Sequence, residues 1–289
     1  MTIRGVAVNG QRPILQGVGT AQYHDMIVLL YANNFVFEGF EIIGDGNPDH
    51  FGIIHKADNV TIRDVVVHGV AGQGLLGTDS ESGSLTLEKS EFYGNGSDLY
   101  NHQIYMATDE TMYPGSVFRM QYCYVHDGTG GNNVKSRAER NEIYYNWIEG
   151  AFYHEPDVIL TGKTFACLRR SDVVGNVLVK HQEWRIARIG GDGTGNTSGR
   201  YRFVNNTMVL GPTSTGHWPT LHGGNTRDAQ QRDRAAWRSA LAHRITTTPK
   251  ALKPYFREQH WIQDGIGQIP DSFTERSRGR SRFTGCCIL

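Results

Sequence analysis

The feature that most constrains this chain is an internal repeat. Seven apolar residues, spaced 25, 25, 33, 23, 31 and 30 positions apart, each precede a second apolar residue by five positions. The first members are Phe37, Ile62, Leu87, Met120, Ile143, Val174 and Val204, and the second members are Ile42, Val67, Phe92, Val125, Ile148, Val179 and Val209. Turn signals such as His68-Gly69 and Glu149-Gly150 follow most copies. Self-similarity at this period indicates stacked structural units.

The repeated units are typical of strands, because short β-branched or aromatic runs lie between glycines. Val134 and Ser136 alternate with Lys135 and Arg137, so a strand here would bury the first pair and expose the second. The two-residue hairpin turns of a sandwich and the Trp-Asp marks of a propeller do not occur between the copies. We therefore predict an all-β fold, a single-stranded right-handed parallel β-helix.

Asparagines near the corners of such a solenoid are expected to stack on one another, because their side chains tolerate the left-handed conformation. The residues concerned are Asn59, Asn141, Asn176 and Asn206. We also expect Cys123 to be a small core residue.

The repeat assigns residues 1–225 to the β-helix and leaves 226–289 as an irregular C-terminal segment. In that segment we expect a capping helix at 228–244 and a basic tail at 276–289.

Residues 1–225 hold 17 Lys and Arg against 23 Asp and Glu, a net charge of −6, and the remainder holds 12 against 6, a net charge of +6. An acidic body argues against a nucleic-acid partner. We expect a monomer.

No apolar run is long enough for a membrane span, and no signal peptide is recognisable, so no membrane partner is predicted. Met1 is followed directly by repeat-like sequence, and we expect the N-terminus to be truncated.

Insertions recur at one phase of the repeat, over residues 107–116, 161–171 and 190–200. Insertions at one phase accumulate on one face, which is commonly the binding face. They would border a groove along the strand that bears Tyr105 and Lys135. With Ile104, Val134, Val158 and Ile186 taken as equivalent inward residues, the outward file is predicted to read Tyr105, Lys135, Ile159 and Ala187.

The groove residues favour β-elimination on a uronic acid. An arginine neutralises the substrate carboxylate, and a lysine crowded by arginines can become the base that removes the adjacent proton. The candidate catalytic residues are Lys135 as base, Arg137 or Arg188 as carboxylate partner, and Tyr105 or His154 as proton donor. Arg188 needs a one-residue adjustment to face the groove. The candidate substrate-binding residues are His102, Gln103, Asn133, Asp157 and Arg185.

The segment Val134-Lys135-Ser136, followed by a charged corner and an N-x-I-x-x-N strand, resembles the catalytic-lysine segment of β-helix alginate lyases and chondroitinase-type lyases. The resemblance implies a lysine base with an arginine partner on the next coil, where this chain reads PDVILTG and has no arginine. Residues 1–225 also resemble bacterial right-handed parallel β-helix repeat proteins, many of them secreted. A secreted or cell-surface protein acting on an acidic polysaccharide is thereby implied.

Other functions stay open at this point. Glu155 and Asp157, with Asp192, could support inverting glycoside hydrolysis, for which the carboxyl groups must be about 6.5–9.5 Å apart. A non-catalytic β-helix that binds glycan or joins a surface assembly is the alternative from another class. Lys135 and Arg137 could also form a solvated face paired with Glu139 and Glu142.

No structural metal spacing is present, and no cofactor is firmly implied. Ca²⁺ is the one candidate ion, because carboxylate-rich insertions suit hard cations. Its candidate ligands are Asp109, Glu110, Asp157 and Asp192.

Overall fold

The computed structural model describes residues 1–17, 26–159, 169–190, 199–210 and 220–222, the last of these as backbone only. The chain separates into two compact units, Met1–Ile245 and Thr246–Leu289, and the second lies wholly outside the described residues. The predicted boundary at 225, the capping helix at 228–244 and the basic tail also lie outside the described residues and stay predictions.

The described residues form three parallel sheets of eight strands each. Sheet I comprises β1 (Thr2–Arg4), β4 (Phe35–Glu38), β7 (Val60–Arg63), β10 (Leu85–Glu88), β13 (Val117–Gln121), β16 (Arg140–Tyr144), β19 (Arg170–Val174) and β22 (Arg200–Val204). Sheet II comprises β2 (Ile14–Gln16), β5 (Glu41–Ile43), β8 (Val66–His68), β11 (Glu91–Tyr93), β14 (Tyr124–His126), β17 (Trp147–Glu149), β20 (Val177–Lys180) and β23 (Thr207–Leu210). Sheet III comprises β3 (Met26–Leu30), β6 (Phe51–His55), β9 (Leu75–Gly77), β12 (Ile104–Ala107), β15 (Val134–Arg137), β18 (Pro156–Val158), β21 (Arg188–Gly190) and β24 (Thr220–His222).

Each coil contributes one strand to every sheet, and each strand pairs in parallel with its counterpart one coil away. The predicted parallel β-solenoid is therefore confirmed. No helix occurs among the described residues, and accordingly none there has the length and apolar character needed to cross a membrane.

The core consists of apolar files that run along the solenoid. On sheet II the file is fully buried from coil to coil and reads Ile42, Val67, Phe92, Val125, Ile148 and Leu178. Cys123 is also fully buried with a free thiol, as predicted. Burying one such side chain contributes about 1.5–3 kcal/mol, so the stacked files are the main source of stability.

At the corner between sheets I and II, the residue at one fixed position has a left-handed backbone conformation in seven coils. It lies two positions after the sheet I core residue, and the residues are Gly39, Asp64, Lys89, Tyr122, Tyr145, Gly175 and Asn205. Non-glycine residues at positive φ are uncommon, so this regularity shows that the coil geometry overrides local preference.

A ladder of asparagine side chains runs along the next position of that corner. Asn146 donates Nδ2 to Asn176 Oδ1 at 3.0 Å, and Asn176 donates Nδ2 to Asn206 Oδ1 at 2.9 Å. At a different corner, between sheets III and I, Asn59 donates Nδ2 to Asn34 Oδ1 at 2.8 Å. Stacking was thus correctly predicted for Asn59, Asn176 and Asn206. The fourth, Asn141, instead bonds to serine side chains on its own and the next coil, Ser136 and Ser171.

The predicted anchors of the last two coils were wrong by one residue. Ile143 pairs with Val173, which pairs in turn with Phe203, so these three residues form one file. Val174 instead pairs with Tyr144. On sheet II, Leu178 and Met208 occupy the positions predicted for Val179 and Val209. Adjacent apolar residues left the sequence pattern ambiguous, and a one-residue slip moves every side chain to the opposite face.

Replacing Asn176 with alanine is expected to lower the free energy of unfolding by about 2–3 kcal/mol. The change leaves buried groups without partners, including the Ile143 carbonyl and the Asn146 amide. Chemical denaturation would measure the loss. Asn101→Ala is the control, because among the described residues its side chain bonds only to Ser97, in an exposed setting. We expect a loss below about 1 kcal/mol. Equal losses would contradict the structural role of the ladder.

Candidate functional site

The candidate site lies on the outward side of sheet III, in one file of paired residues. The successive partners are Ile54, Leu76, Tyr105, Lys135, Asp157, Arg188 and Thr220. Neighbouring strands are about 4.8 Å apart, so the file changes from aliphatic to polar side chains within a short distance. We call Tyr105, Lys135, Asp157 and Arg188 the polar column.

Lys135 and Tyr105 contact each other across neighbouring strands. The Nζ of Lys135 lies 5.5 Å from the centroid of the Tyr105 ring, within the range of a cation–π interaction. Both side chains are half-buried, so a ligand can reach them. Arg137 follows on the same side of β15, paired with Ala107, and is also half-buried. The predicted alternation of buried Val134 with half-exposed Lys135 is confirmed.

Asp157 and Arg188 form a two-pronged ion pair at the next step of the polar column. Arg188 donates Nε to Asp157 Oδ1 at 2.8 Å and Nη2 to Asp157 Oδ2 at 2.5 Å. The Asp157 carboxylate is fully buried, whereas the Arg188 side chain is 15% exposed. The guanidinium also lies 5.9 Å from the centroid of the Tyr153 ring. Such planar recognition fixes the orientation of the arginine.

His102 lies beside the polar column as a neutral imidazole. Its ring meets the Tyr105 ring edge-on at 5.8 Å, and its Nδ1 accepts a hydrogen bond from the Asn132 backbone N–H at 2.9 Å. Because Nδ1 is an acceptor, the ring proton resides on Nε2. Burial lowers the pKa of His102 to about 3, and the positive charges of Lys135, Arg188 and Arg137 act in the same direction.

Glycine at position 131 is what permits this packing. A Cβ on Gly131 would approach His102 Nδ1 to 2.1 Å, and its φ of +49° is in the left-handed region. The ring of His102 therefore occupies the space that any side chain at position 131 would need.

Asn132 connects three groups around the polar column, and sequence reasoning did not select it. Its Oδ1 accepts from His154 Nδ1 at 2.9 Å, and its Nδ2 donates to Asp157 Oδ2 at 3.2 Å. Its backbone N–H holds His102, as described above. A corner asparagine resembles many others in this sequence, so no local signal distinguished it.

His154 and the two predicted amide ligands are buried. His154 is fully buried, which excludes direct contact with a bound polymer in this conformation. Gln103 donates Nε2 to Asn133 Oδ1 at 2.8 Å, and Asn133 donates Nδ2 to Glu155 Oε2 at 2.8 Å. Gln103 and Asn133 are also fully buried. These amides form an internal ladder at the corner between sheets II and III, behind the polar column.

The internal ladder ends on a buried ion pair. Glu155 Oε1 lies 3.6 Å from Lys180 Nζ, and Lys180 donates to the carbonyls of Ala151 and Tyr153 at 2.8 and 2.9 Å. Burial raises the pKa of Glu155 to about 7 and lowers the pKa of Lys180. Glu155 and Asp157 are both fully buried and form ion pairs with Lys180 and Arg188. Neither carboxylate can therefore reach a glycosidic bond in the way that hydrolysis requires.

The predicted outward file was wrong on its last two strands. It contained Ile159 and Ala187, which are fully buried, whereas Asp157 and Arg188 are the actual partners in the file of Lys135. Val134 pairs with Pro156 rather than with Val158. Proline takes the first inward position of β18, where it is tolerated, and a pattern that counts only β-branched residues misses it.

Arg188 lies on the outer face because it pairs with Asp157, in the file of Lys135. Ile186 and Ala187, which precede it, are fully buried. The sequence prediction took Val158 and Ile186 as equivalent, whereas Val158 pairs with Ile189, so the one-residue adjustment expected for Arg188 does not describe the observed register. Arg185 lies three residues before Arg188, half-buried and ahead of β21.

The first insertion is anchored within the described residues. Glu110 Oε2 accepts from Arg169 Nη2 at 2.9 Å, and both side chains are buried. The Gly115 N–H donates to Glu139 Oε2 at 2.6 Å. Residues 160–168 and 191–198, which make up most of the other two insertions, lie outside the described residues. The predicted groove walls on that side therefore stay a prediction.

Two further expectations concern charged neighbours. Glu142 lies on sheet I, where its carboxylate binds Arg119 and Arg140, so it belongs to a different face from Lys135. In the described part of the chain, no group of three His, Cys, Asp or Glu side chains is arranged to hold a metal ion. Asp192, one of the candidate Ca²⁺ ligands, lies outside those residues.

Replacing Arg188 with alanine is expected to lower the free energy of unfolding by about 3–5 kcal/mol, because the buried Asp157 carboxylate loses its charged partner. Chemical denaturation measures the change. Arg119→Ala is the matched control, since Arg119 and Glu142 form a similar pair between coils with Arg119 46% exposed. We expect that control to cost about 1 kcal/mol or less. Similar losses in the two variants would argue against a desolvated pair at Asp157.

His102 is expected to stay neutral in the folded protein down to acidic pH. An unfolded histidine has a pKa of about 6.5, and the folded value is lower. Its contribution to stability is therefore present above pH 6.5 and is lost as the pH falls toward 3. Nitrogen-15 NMR should show the Nε2–H tautomer from pH 8 to pH 5, and the His102→Asn variant identifies the resonance. An imidazolium signal at pH 6 would contradict this assignment.

No family model, no curated protein and no solved structure matches this chain. The function must therefore be argued from the polar column itself.

Proposed function

We propose that this chain is a polysaccharide lyase that cleaves a uronic-acid-containing glycan by β-elimination on the polar column. The observation that supports this most directly is the strand register, which aligns Tyr105 with Lys135 and brings Arg188 into the same file two strands further on. A base, a proton donor and an arginine thereby share one half-exposed face. An extracellular or cell-surface location follows from the proposed substrate.

Charge favours an acidic polymer at this face. Among the described residues there, Lys135, Arg137 and Arg188 supply three positive charges, Asp157 supplies one negative charge, and His102 adds none because it is neutral. A net positive strip attracts a polyanion and raises its local concentration. The spacing of about 4.8 Å between coils is close to the length of one sugar residue, so the polymer can follow the column.

Arg137 is the proposed carboxylate partner. Arg137 lies two positions from Lys135 on the same face of β15. A guanidinium there would neutralise the substrate carboxylate and so acidify the proton on the adjacent ring carbon.

The elimination step requires a base and an acid on neighbouring strands. Lys135 Nζ, as the free amine, takes the proton from the ring carbon that bears the carboxylate. That electron pair forms a carbon–carbon double bond, and the bond from the next carbon to the glycosidic oxygen breaks toward oxygen. Tyr105 donates its hydroxyl proton to that oxygen. Solvent then restores both side chains, and the products are a new reducing end and an unsaturated uronate.

The buried residues have a supporting role in this proposal. Asn132 fixes both Asp157 and His102, and Asp157 in turn orients Arg188. His154 acts through Asn132 and does not touch the substrate. Rigid placement of this kind is what positions a base and an acid for catalysis.

Lys135→Ala is expected to lower the rate of unsaturated uronate formation by at least about 100-fold, the usual contribution of a positioned acid or base. The assay measures ultraviolet absorbance of the unsaturated product on alginate, pectate, chondroitin and hyaluronan. Tyr105→Phe should also reduce the rate.

Lys56→Ala is the matched control, because Lys56 directly follows a strand of the same sheet and pairs with Glu81 at the surface. We expect it to leave the rate unchanged. Release of reducing sugar without unsaturation would replace elimination by hydrolysis. Binding of an acidic polymer without any product would reject catalysis and select a glycan-binding solenoid.

A further inference from the structure

An aromatic pair, Trp184 and the half-buried Tyr153, lies beside the polar column and has no role in the elimination step. Trp184 is 43% exposed, and its ring meets the Tyr153 ring at 4.5 Å and an interplanar angle of 71°. Tyr153 also contacts the column, because the Arg188 guanidinium lies 5.9 Å from the centroid of its ring. Phe152, next to Tyr153, is 38% exposed. Tyr153 thus connects an exposed indole to the polar column.

The backbone at Trp184 is held in a conformation that bulky residues rarely adopt. Its φ is +76°, in the left-handed region that favours glycine and asparagine. Tyr122 and Tyr145 share this conformation, but they occupy the repeated corner between sheets I and II, which Trp184 does not. Strained residues of this kind concentrate at binding sites, so an exposed tryptophan here points to a ligand.

The position of the pair relative to the column indicates which part of a ligand it would meet. Tyr153 precedes β18 and Trp184 precedes β21, the strands that follow the Lys135 strand in sheet III. The pair therefore lies about one to two coil spacings, roughly 5–10 Å, from the level of Lys135. A polymer that follows the column would bring its next one or two sugar residues to this level.

We propose that Trp184 and Tyr153 form a sugar-stacking subsite that binds an acidic polysaccharide one or two residues away from the bond broken at Lys135. The inference rests on the proposed function and deepens it. The apolar C–H face of a pyranose packs against an aromatic ring, and binding sites combine such rings with a few charged groups. Arg188, beside Tyr153, would then meet the carboxylate of the same or the neighbouring sugar.

The test measures oligosaccharide affinity in a background that cannot turn over. Isothermal titration compares Lys135→Ala with the double variant Lys135→Ala/Trp184→Gly, using hexasaccharides of alginate and of polygalacturonate. We expect the double variant to bind one of them about three- to tenfold more weakly, the effect of losing one aromatic stacking contact. Glycine accepts a φ of +76°, so the variant should fold, and its thermal melting verifies this.

Tyr31→Ala in the same background is the matched control. Tyr31 is 63% exposed and follows β3, at the opposite end of sheet III from β21. Its removal should leave the affinity unchanged. Trp184→Phe should retain most of the affinity, because an aromatic face is kept.

The possible results separate the two proposals. Equal affinities of Lys135→Ala and the double variant overturn the stacking subsite while the lyase assay stands by itself. Binding that depends on Trp184, together with no unsaturated product from the wild type, supports the subsite and rejects elimination. Failure of Lys135→Ala to bind either hexasaccharide overturns the subsite as well.

Discussion

Parallel pairing of equivalent positions from coil to coil is the constraint on which the rest of this molecule depends. Each strand hydrogen-bonds to its counterpart one coil away, so residues about thirty positions apart lie in one file. A slip of one residue would move a whole file to the opposite face. The asparagine ladder and the left-handed corners oppose such a slip. The ladder fixes one position in the three coils of Asn146, Asn176 and Asn206, and the corners fix one position in seven coils.

The same stacking explains why the polar column can concentrate charge. Behind it, Gln103, Asn133 and Glu155 bond to one another in a fully buried ladder that ends on Lys180. These polar groups hydrogen-bond to one another inside the solenoid, which offsets the cost of burying them in a region of low dielectric constant. In front of the ladder, His102 stays neutral among the cations. Among the described residues of this face, the charged groups are Lys135, Arg137 and the Asp157–Arg188 pair.

Part of the candidate site could be read from the sequence. Tyr105 and Lys135 lie in strands with clear alternation, and their file follows from the spacing between Ile104 and Val134. Asp157 and Arg188 could not be assigned to that file, because Pro156 occupies an inward position and Val158, which was expected to align with Ile186, pairs with Ile189. Backbone pairing decides such a register, and side-chain character does not record it.

The sequence by itself determined the repeat, the parallel solenoid, the outward direction of Lys135 and the stacking of three corner asparagines, because each follows from local period and composition. Only the tertiary structure decided which residues share a coil position with Lys135, that His154, Gln103 and Asn133 are buried, and that Asn132 links His102 to Asp157. Burial and pairing depend on how neighbouring coils pack, and residues some thirty positions away supply those contacts.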